Sequence, residues 1–276
     1  MPTHDHDNRP DLAVQRVRHP LKFRLLQVKQ VRALTPHLIR VTFTGDDLHD
    51  FVSASFDDHI KVFFPERGAD KPTLPEAGPD GPVFPAGQRP TARDFTPRRF
   101  DRDARELDIE FAMHEAGPAA SWAAQAKVGQ YLGIGGPRGS FVVPTAFDWH
   151  LLVGDETALP AIARRLEELP AGARVAAVIE VADASAQIDF ATRTELHLVW
   201  CHRNGNGERG AALLQAVRDI YLPEQGEGYV WAAGESATMR AVRQHLCSER
   251  GVDKSRIRAA SYWKQGAQAV HESLDD

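Results

Sequence analysis

Near Pro144 the chain changes character, and that change constrains its fold more than any other feature. Before it, apolar residues come in short runs or strict alternation with no helical period, as at residues 23–31, 38–43, 58–64 and 107–113. Thr35-Pro36 and Gly45-Asp46 supply turns, and residues 66–91 are too rich in proline and glycine for a helix or a sheet interior, so they read as a surface loop. Such a series of short strands predicts a small antiparallel Greek-key β-barrel. Beyond Pro144, strand and helix patterns take turns. Strands are predicted at 149–154, 174–181, 195–200, 228–233 and 257–263, with helices opening at Asp155-Glu156-Thr157 and spanning 211–221 and 235–250. That alternation predicts an α/β domain with a parallel sheet. The expected organisation is a disordered tail at 1–18, a barrel domain at 19–145 and an α/β domain at 146–276.

Composition removes several function classes. A net charge of -5 argues against broad nucleic-acid binding. No apolar run is long enough to cross a bilayer, and the polar first ten residues lack the order of a secretory signal, so a cytoplasmic monomer is expected. Cys201 and Cys247 stand far apart in no redox or metal spacing, and the twelve histidines form neither HxxxH nor HExxH, so no metal site is expected.

Three stretches invite chemistry. Arg93-Asp94-Phe95-Thr96-Pro97-Arg98 packs two guanidiniums, a ring and a hydroxyl into six positions. Read as an extended strand, it puts Arg93 and Phe95 on one side and Thr96 and Arg98 on the other. That is either a clamp for a flat aromatic ligand bearing phosphate or a solvated edge strand. Gly117-Pro118-Ala119, running on through Ser121-Trp122, has the form of a strand-to-helix junction whose first-turn N–H groups suit an anion, or of an ordinary junction. On a parallel sheet, ligands bind beyond the carboxyl ends of strands. Here those ends are Asp155-Glu156-Thr157, Arg203, Gly234-Glu235 and Lys264, with no GxGxxG fingerprint.

Taken in order, the motifs resemble those of the siderophore-interacting proteins, FAD-dependent ferric-siderophore reductases of ferredoxin-reductase-like fold. The resemblance rests on Asp58-His59-Ile60-Lys61, the 93–98 hexapeptide, His114 with Gly117 to Ala123, and Gly136-Pro137-Arg138-Gly139-Ser140. It continues through residues 154–160, residues 231–235 and Tyr262-Trp263-Lys264-Gln265-Gly266. It implies an FAD in the barrel, with Phe95 and Thr96 against the ring and Arg93 and Arg98 on phosphate or ribityl. Gly117, Pro118, Ala119 and Ser121 with Trp122 would take the pyrophosphate, with His114 nearby. It implies NADH or NADPH at Asp155, Glu156, Thr157, Gly234 and Glu235, with Arg203 on its phosphates; reduced ferredoxin is another donor to weigh. Lys61, Arg138 and Lys264 would dock an anionic ferric siderophore. Electrons pass through the flavin, so no side chain is expected to act as acid, base or nucleophile, and iron is substrate rather than resident metal. The chain departs from the family pattern at Phe95, where tyrosine is usual, and at Ser261, where glycine is usual. The rival readings are a reductase of free flavin, quinone or an electron-transfer partner, and a siderophore carrier without catalysis.

Overall fold

The computed structural model describes residues 11–79, 81–85, 90–113, 117–205, 208–266 and 272–274. In chain order the first half contains β1 (Gln15–Arg18), β2 (Phe23–Thr35), β3 (Leu38–Thr44), β4 (Ile60–Phe63), β5 (Glu76–Gly78), β6 (Gly81–Val83), β7 (Ala92–Phe95), β8 (Arg99–Asp101), β9 (Glu106–Ala112), α1 (Pro118–Ala123), β10 (Tyr131–Gly135) and β11 (Gly139–Val142). The second half contains β12 (Trp149–Asp155), α2 (Leu159–Glu168), β13 (Arg174–Val181), β14 (Glu195–His202), α3 (Ala211–Asp219), β15 (Gly228–Glu235), α4 (Ser236–Gln244), β16 (Ile257–Trp263) and β17 (Glu272–Ser273).

The first half is a seven-stranded antiparallel sheet in the order β7-β4-β10-β2-β3-β9-β8. The late strand β10 lies between β4 and β2, the out-of-sequence placement that a Greek key requires. The sheet curls on itself: the ring of Phe95 in edge strand β7 lies 4.6 Å from that of Phe111 in β9, five strands away in sheet order. Inside, Leu26, Val41, Phe43, Val62, Ile109, Phe111 and Leu132 form an apolar core. Two expectations change here. Residues 15–18 of the supposed tail form β1, paired with β11, because Leu12 and Val14 pack on the core and Arg256 donates to the Leu12 carbonyl. Within the proline-rich loop, β5 and β6 make a small hairpin.

The second half is a parallel sheet, β14-β13-β12-β15-β16, with β17 added antiparallel at the β16 edge. Successive residues of β12 serve opposite faces. Leu152 meets α2 through Ile162 and Leu166, while Leu151 and Val153 share the other core with Leu213 of α3 and Met239 of α4. The β13–β14 crossover holds only a single turn, Ala184–Ala186, so Leu196, Leu198 and Trp200 stay half-buried.

The halves share a core. Leu38, Phe56 and Val143 pack with Leu152, Ile162 and Trp231. Adjacent arginines of α2 reach the barrel: Arg164 donates to Ser53 Oγ, the Ser53 carbonyl and the Pro97 carbonyl, and Arg165 to the carbonyls of Val143 and Pro144.

Candidate functional site

The β4–β7 corner presents the first half of the site. Ile60 faces Phe95, Lys61 faces Asp94 and Val62 faces Arg93. Opposed residues share a side, and Ile60 and Val62 are fully buried, so Arg93 and Phe95 lie on the inner side and Lys61 and Asp94 on the outer. The Phe95 ring packs against Phe111, tilted by 49°, and edge-on against Phe64. Arg93 Nη1 bonds the neighbouring Ala92 carbonyl at 2.7 Å and, among the described residues, meets no carboxylate.

The strand stops at Phe95, so the alternation read for Thr96 and Arg98 does not continue. Thr96 is buried. Arg98 grips Glu167 of α2 at 2.8 and 2.5 Å, and its Nε lies 3.6 Å from buried Glu110. Its donors face one carboxylate across the domain boundary and one within the barrel, so in this structure Arg98 is a strut between the two halves. The Trp122 ring stacks on Phe43 and packs against Phe64 and Phe111 inside the barrel, where it anchors α1. Gly117, at φ 146°, takes a backbone that a side chain would strain, and Pro118 opens α1 with no side chain capping the first turn. Ala119 is half-buried and Ser121 exposed; His114 lies outside the described residues.

At the carboxyl ends of the parallel strands, polar groups satisfy one another. Asp155 Oδ1 accepts from Thr157 N and Oγ1, and Oδ2 accepts from Glu235 N at 3.0 Å and the Trp263 indole at 2.8 Å. It thereby ties together the ends of β12, β15 and β16. Burial, with Glu156 beside it, pushes the Asp155 carboxyl above the usual range. Gly234 is required for this tie: a Cβ there would stand 2.7 Å from Asp155 Oδ2. Glu235 caps α4 through Thr238 N, and its other oxygen meets Gln265 N. Arg203 is bonded to Glu156 and, at 3.2 Å, to Glu180, whose carboxylate also receives the Gly210 N–H. Arg203, the candidate for donor phosphates, is thus paired with two carboxylates in this structure.

The three expected docking cations do not stand alike. Lys61 pairs with Asp94 at 2.8 Å, and the β4–β10 register sets Lys61 opposite Gly135, three residues before exposed Arg138. Lys264 is exposed at the end of β16. The fold thus draws Lys61 and Arg138 to one barrel edge, while Lys264 follows from the other domain. Ser261 is fully buried with its hydroxyl directed at the Trp263 carbonyl, so the extra side chain is accommodated within the strand end.

Sequence reasoning missed Asp57. It accepts from the Trp231 indole at 2.9 Å, from Tyr262 Oη at 3.4 Å and from Arg258 Nε, all in the other domain. Its neighbour Asp58 is held by Ser53, Ser55 and Ser140, and burial raises its carboxyl above the usual range. The available signal was two adjacent carboxylates in an otherwise apolar segment.

A curled antiparallel barrel carrying an aromatic and guanidinium corner, followed by a parallel sheet whose strand ends face it, defines a ferredoxin-reductase-like two-domain protein. The model of the siderophore-interacting FAD-binding domain matches residues 27–141, and that of the siderophore-interacting protein matches residues 147–266, so the chain belongs to the siderophore-interacting protein family. The NADPH-dependent ferric-chelate reductase of Escherichia coli is 37% identical over 90% of this chain and 96% of its own length. A solved siderophore utilization protein from T. fusca superposes with a TM-score of 0.85 at 39% identity, covering 94% of this chain and 98% of that one. The ferredoxin reductase of a carbazole 1,9a-dioxygenase shares the fold at 18% identity, with a TM-score of 0.60 over 87% of this chain and 69% of that one.

Proposed function

We propose that this chain is an FAD-dependent ferric-siderophore reductase that takes electrons from NAD(P)H. The observation that supports the flavin site is the contrast between the two arginines of the hexapeptide: Arg98 is committed to carboxylates, whereas Arg93, on the same side of β7 as Phe95, meets no carboxylate among the described residues. That donor set fits an FAD. Phe95 offers a ring surface, Thr96 a polar contact, Arg93 charge for a phosphate, and the uncapped turn after Gly117 further N–H donors. When bound, the flavin supplies the conversion between a two-electron donor and a one-electron acceptor. The chain's own residues bind and orient. Asp155, Glu235 and Trp263 brace the strand ends where a dinucleotide donor would lie.

Lys61, Arg138 and Lys264 would attract an anionic chelate to the outer edge and need no iron ligand of their own. Among the described residues no group of three or more His, Cys, Asp or Glu side chains is placed to hold a metal ion. A cytoplasmic monomer remains the reading of the sequence; no helix of the described residues is long and apolar enough to cross a membrane.

The test compares reduction of a ferric siderophore with that of free flavin, quinone and ferredoxin by the yellow protein. Arg138→Ala and Lys264→Glu should raise the siderophore KM several-fold and spare bleaching of the flavin by NAD(P)H, with a smaller effect from Lys61→Ala because Asp94 already holds it. A colourless protein that cannot be reconstituted with FAD would refute the reading.

A further inference from the structure

Arg138 has a neighbour from the other end of the barrel sequence. The register of β1 against β11 sets Arg18 opposite Gly139, and the His19 N–H donates to the Arg138 carbonyl at 3.0 Å. Gly139 lets the two strands meet, because a Cβ there would stand 2.7 Å from the Val17 carbonyl oxygen. Past that rung, His19 Nε2 lies 2.8 Å from Ser140 Oγ, and Ser140 is itself bonded to buried Asp58. The backbone on both sides of Arg18 is thereby fixed to the glycine turn that carries Arg138.

The same turn gathers the other cations of this edge. Lys61 stands opposite Gly135, and the Gly136 N–H bonds the Lys22 carbonyl. Charge along it does not cancel. Lys61 is held by Asp94, while Lys22 and Arg24 share Asp50, so three cations meet two carboxylates. Arg18 and Arg138 are exposed and, among the described residues, meet none. Arg16, on the same side of β1 as Arg18, is already used: its guanidinium lies over the Phe141 ring at 5.5 Å.

We propose that Arg18 docks the anionic chelate beside Arg138, so that β1 belongs to the substrate site and sets how strongly the protein discriminates by chelate charge. This rests on the reading of the outer edge given above. A guanidinium keeps its charge at any working pH and offers a planar fork of N–H donors, so two of them on adjacent strands suit a cluster of anionic oxygens. The chelate class favoured is one with net negative charge on its oxygens, such as a tris-catecholate. A neutral tris-hydroxamate of similar size gains little from the pair. The arrangement is invisible in the sequence, where 120 residues separate the two arginines and only strand pairing joins them.

The experiment measures binding without turnover. FAD-loaded protein, with no electron donor present, is titrated in a calorimeter with the gallium complexes of a hexadentate tris-catecholate and a hexadentate tris-hydroxamate, the first triply negative and the second neutral. Arg18→Ala should raise the Kd of the tris-catecholate by about fivefold and Arg18→Glu by more, with less than roughly a twofold change for the tris-hydroxamate. Arg18→Lys should recover most of the loss, and molar salt should erase most of the difference between Arg18→Ala and the parent. An unchanged tris-catecholate Kd in Arg18→Glu would overturn the proposal. So would an equal loss with both chelates, or a difference that survives molar salt, since either marks a fault in β1 rather than a lost charge. Arg138→Ala separates this inference from the reading beneath it. If that variant weakens tris-catecholate binding and the Arg18 variants do not, only this inference falls; if substitutions at Arg18, Arg138 and Lys264 all leave binding unmoved, the docking edge itself is refuted.

Discussion

The two halves of the site differ in how much of their hydrogen-bonding capacity is already used. At the barrel corner Arg93 contacts only a neighbouring carbonyl, and α1 begins without a side-chain cap. At the strand ends of the α/β domain the reverse holds: Asp155 accepts four bonds, Glu235 caps a helix, and Arg203 is shared by two carboxylates. Spare donors favour lasting retention of a ligand, whereas an internally satisfied surface must exchange partners before it can hold anything. On the proposed function, a resident cofactor suits the first and a visiting donor the second.

The sharpest way to break that contrast is to treat the two arginines of the hexapeptide alike. Arg98→Ala removes two bonds to Glu167 across the boundary and leaves buried Glu110 to Arg40 alone, and should destabilise the fold by about 1–3 kcal/mol in denaturant titrations. Any FAD that the surviving folded protein binds should be held as before; loss of FAD without loss of stability would reverse the assignment of the two side chains. Arg93→Ala combined with Thr96→Ala should do the opposite. Losing two polar contacts, one of them charged, at about 1–3 kcal/mol each predicts a rise of roughly a hundredfold in the FAD Kd, read by flavin fluorescence, with a small change in stability.

Acid separates the halves in a third way. His150 of β12 is held neutral by burial, with Arg165 nearby opposing its charge, and its pKa is lowered to about 3. Unfolding releases it to an ordinary value of about 6.5, so the unfolded chain binds the extra proton. The stability it protects is complete above pH 6.5 and declines toward pH 3, by at most about 1.4 kcal/mol per pH unit. Denaturation midpoints at pH 7 and pH 5 should show this slope, and His150→Gln should remove it. The smallest effect is expected at the donor end. Glu156→Gln relaxes one grip on Arg203 and should lower the KM for NAD(P)H by less than tenfold. An unchanged KM would mean that Arg203 is structural only.

The sequence made the two-part architecture readable because period-2 and helical patterns occupy separate stretches. It also exposed the strand ends and the 93–98 hexapeptide, since both are contiguous. What it hid depends on distant partners. Arg98 reads as a ligand hand until Glu167, 69 residues on, is seen to hold it. Trp122 reads as part of a cofactor motif until its ring is found against Phe43. Asp57 stands beside a quoted motif, yet its partners lie 174 to 205 residues away. The strand at residues 15–18 was hidden by a polar flank, since only its pairing with β11 gives it a structure.

The paired arginines in the second half of α2, together with the core that crosses the boundary, bear on evolution and engineering. A barrel expressed alone would leave the carbonyls of Ser53, Pro97, Val143 and Pro144 without the guanidiniums that serve them, and would bare Phe56. The halves are therefore not interchangeable cassettes. A chimera built by exchanging second domains between relatives would have to carry these loops along with the helix that grips them.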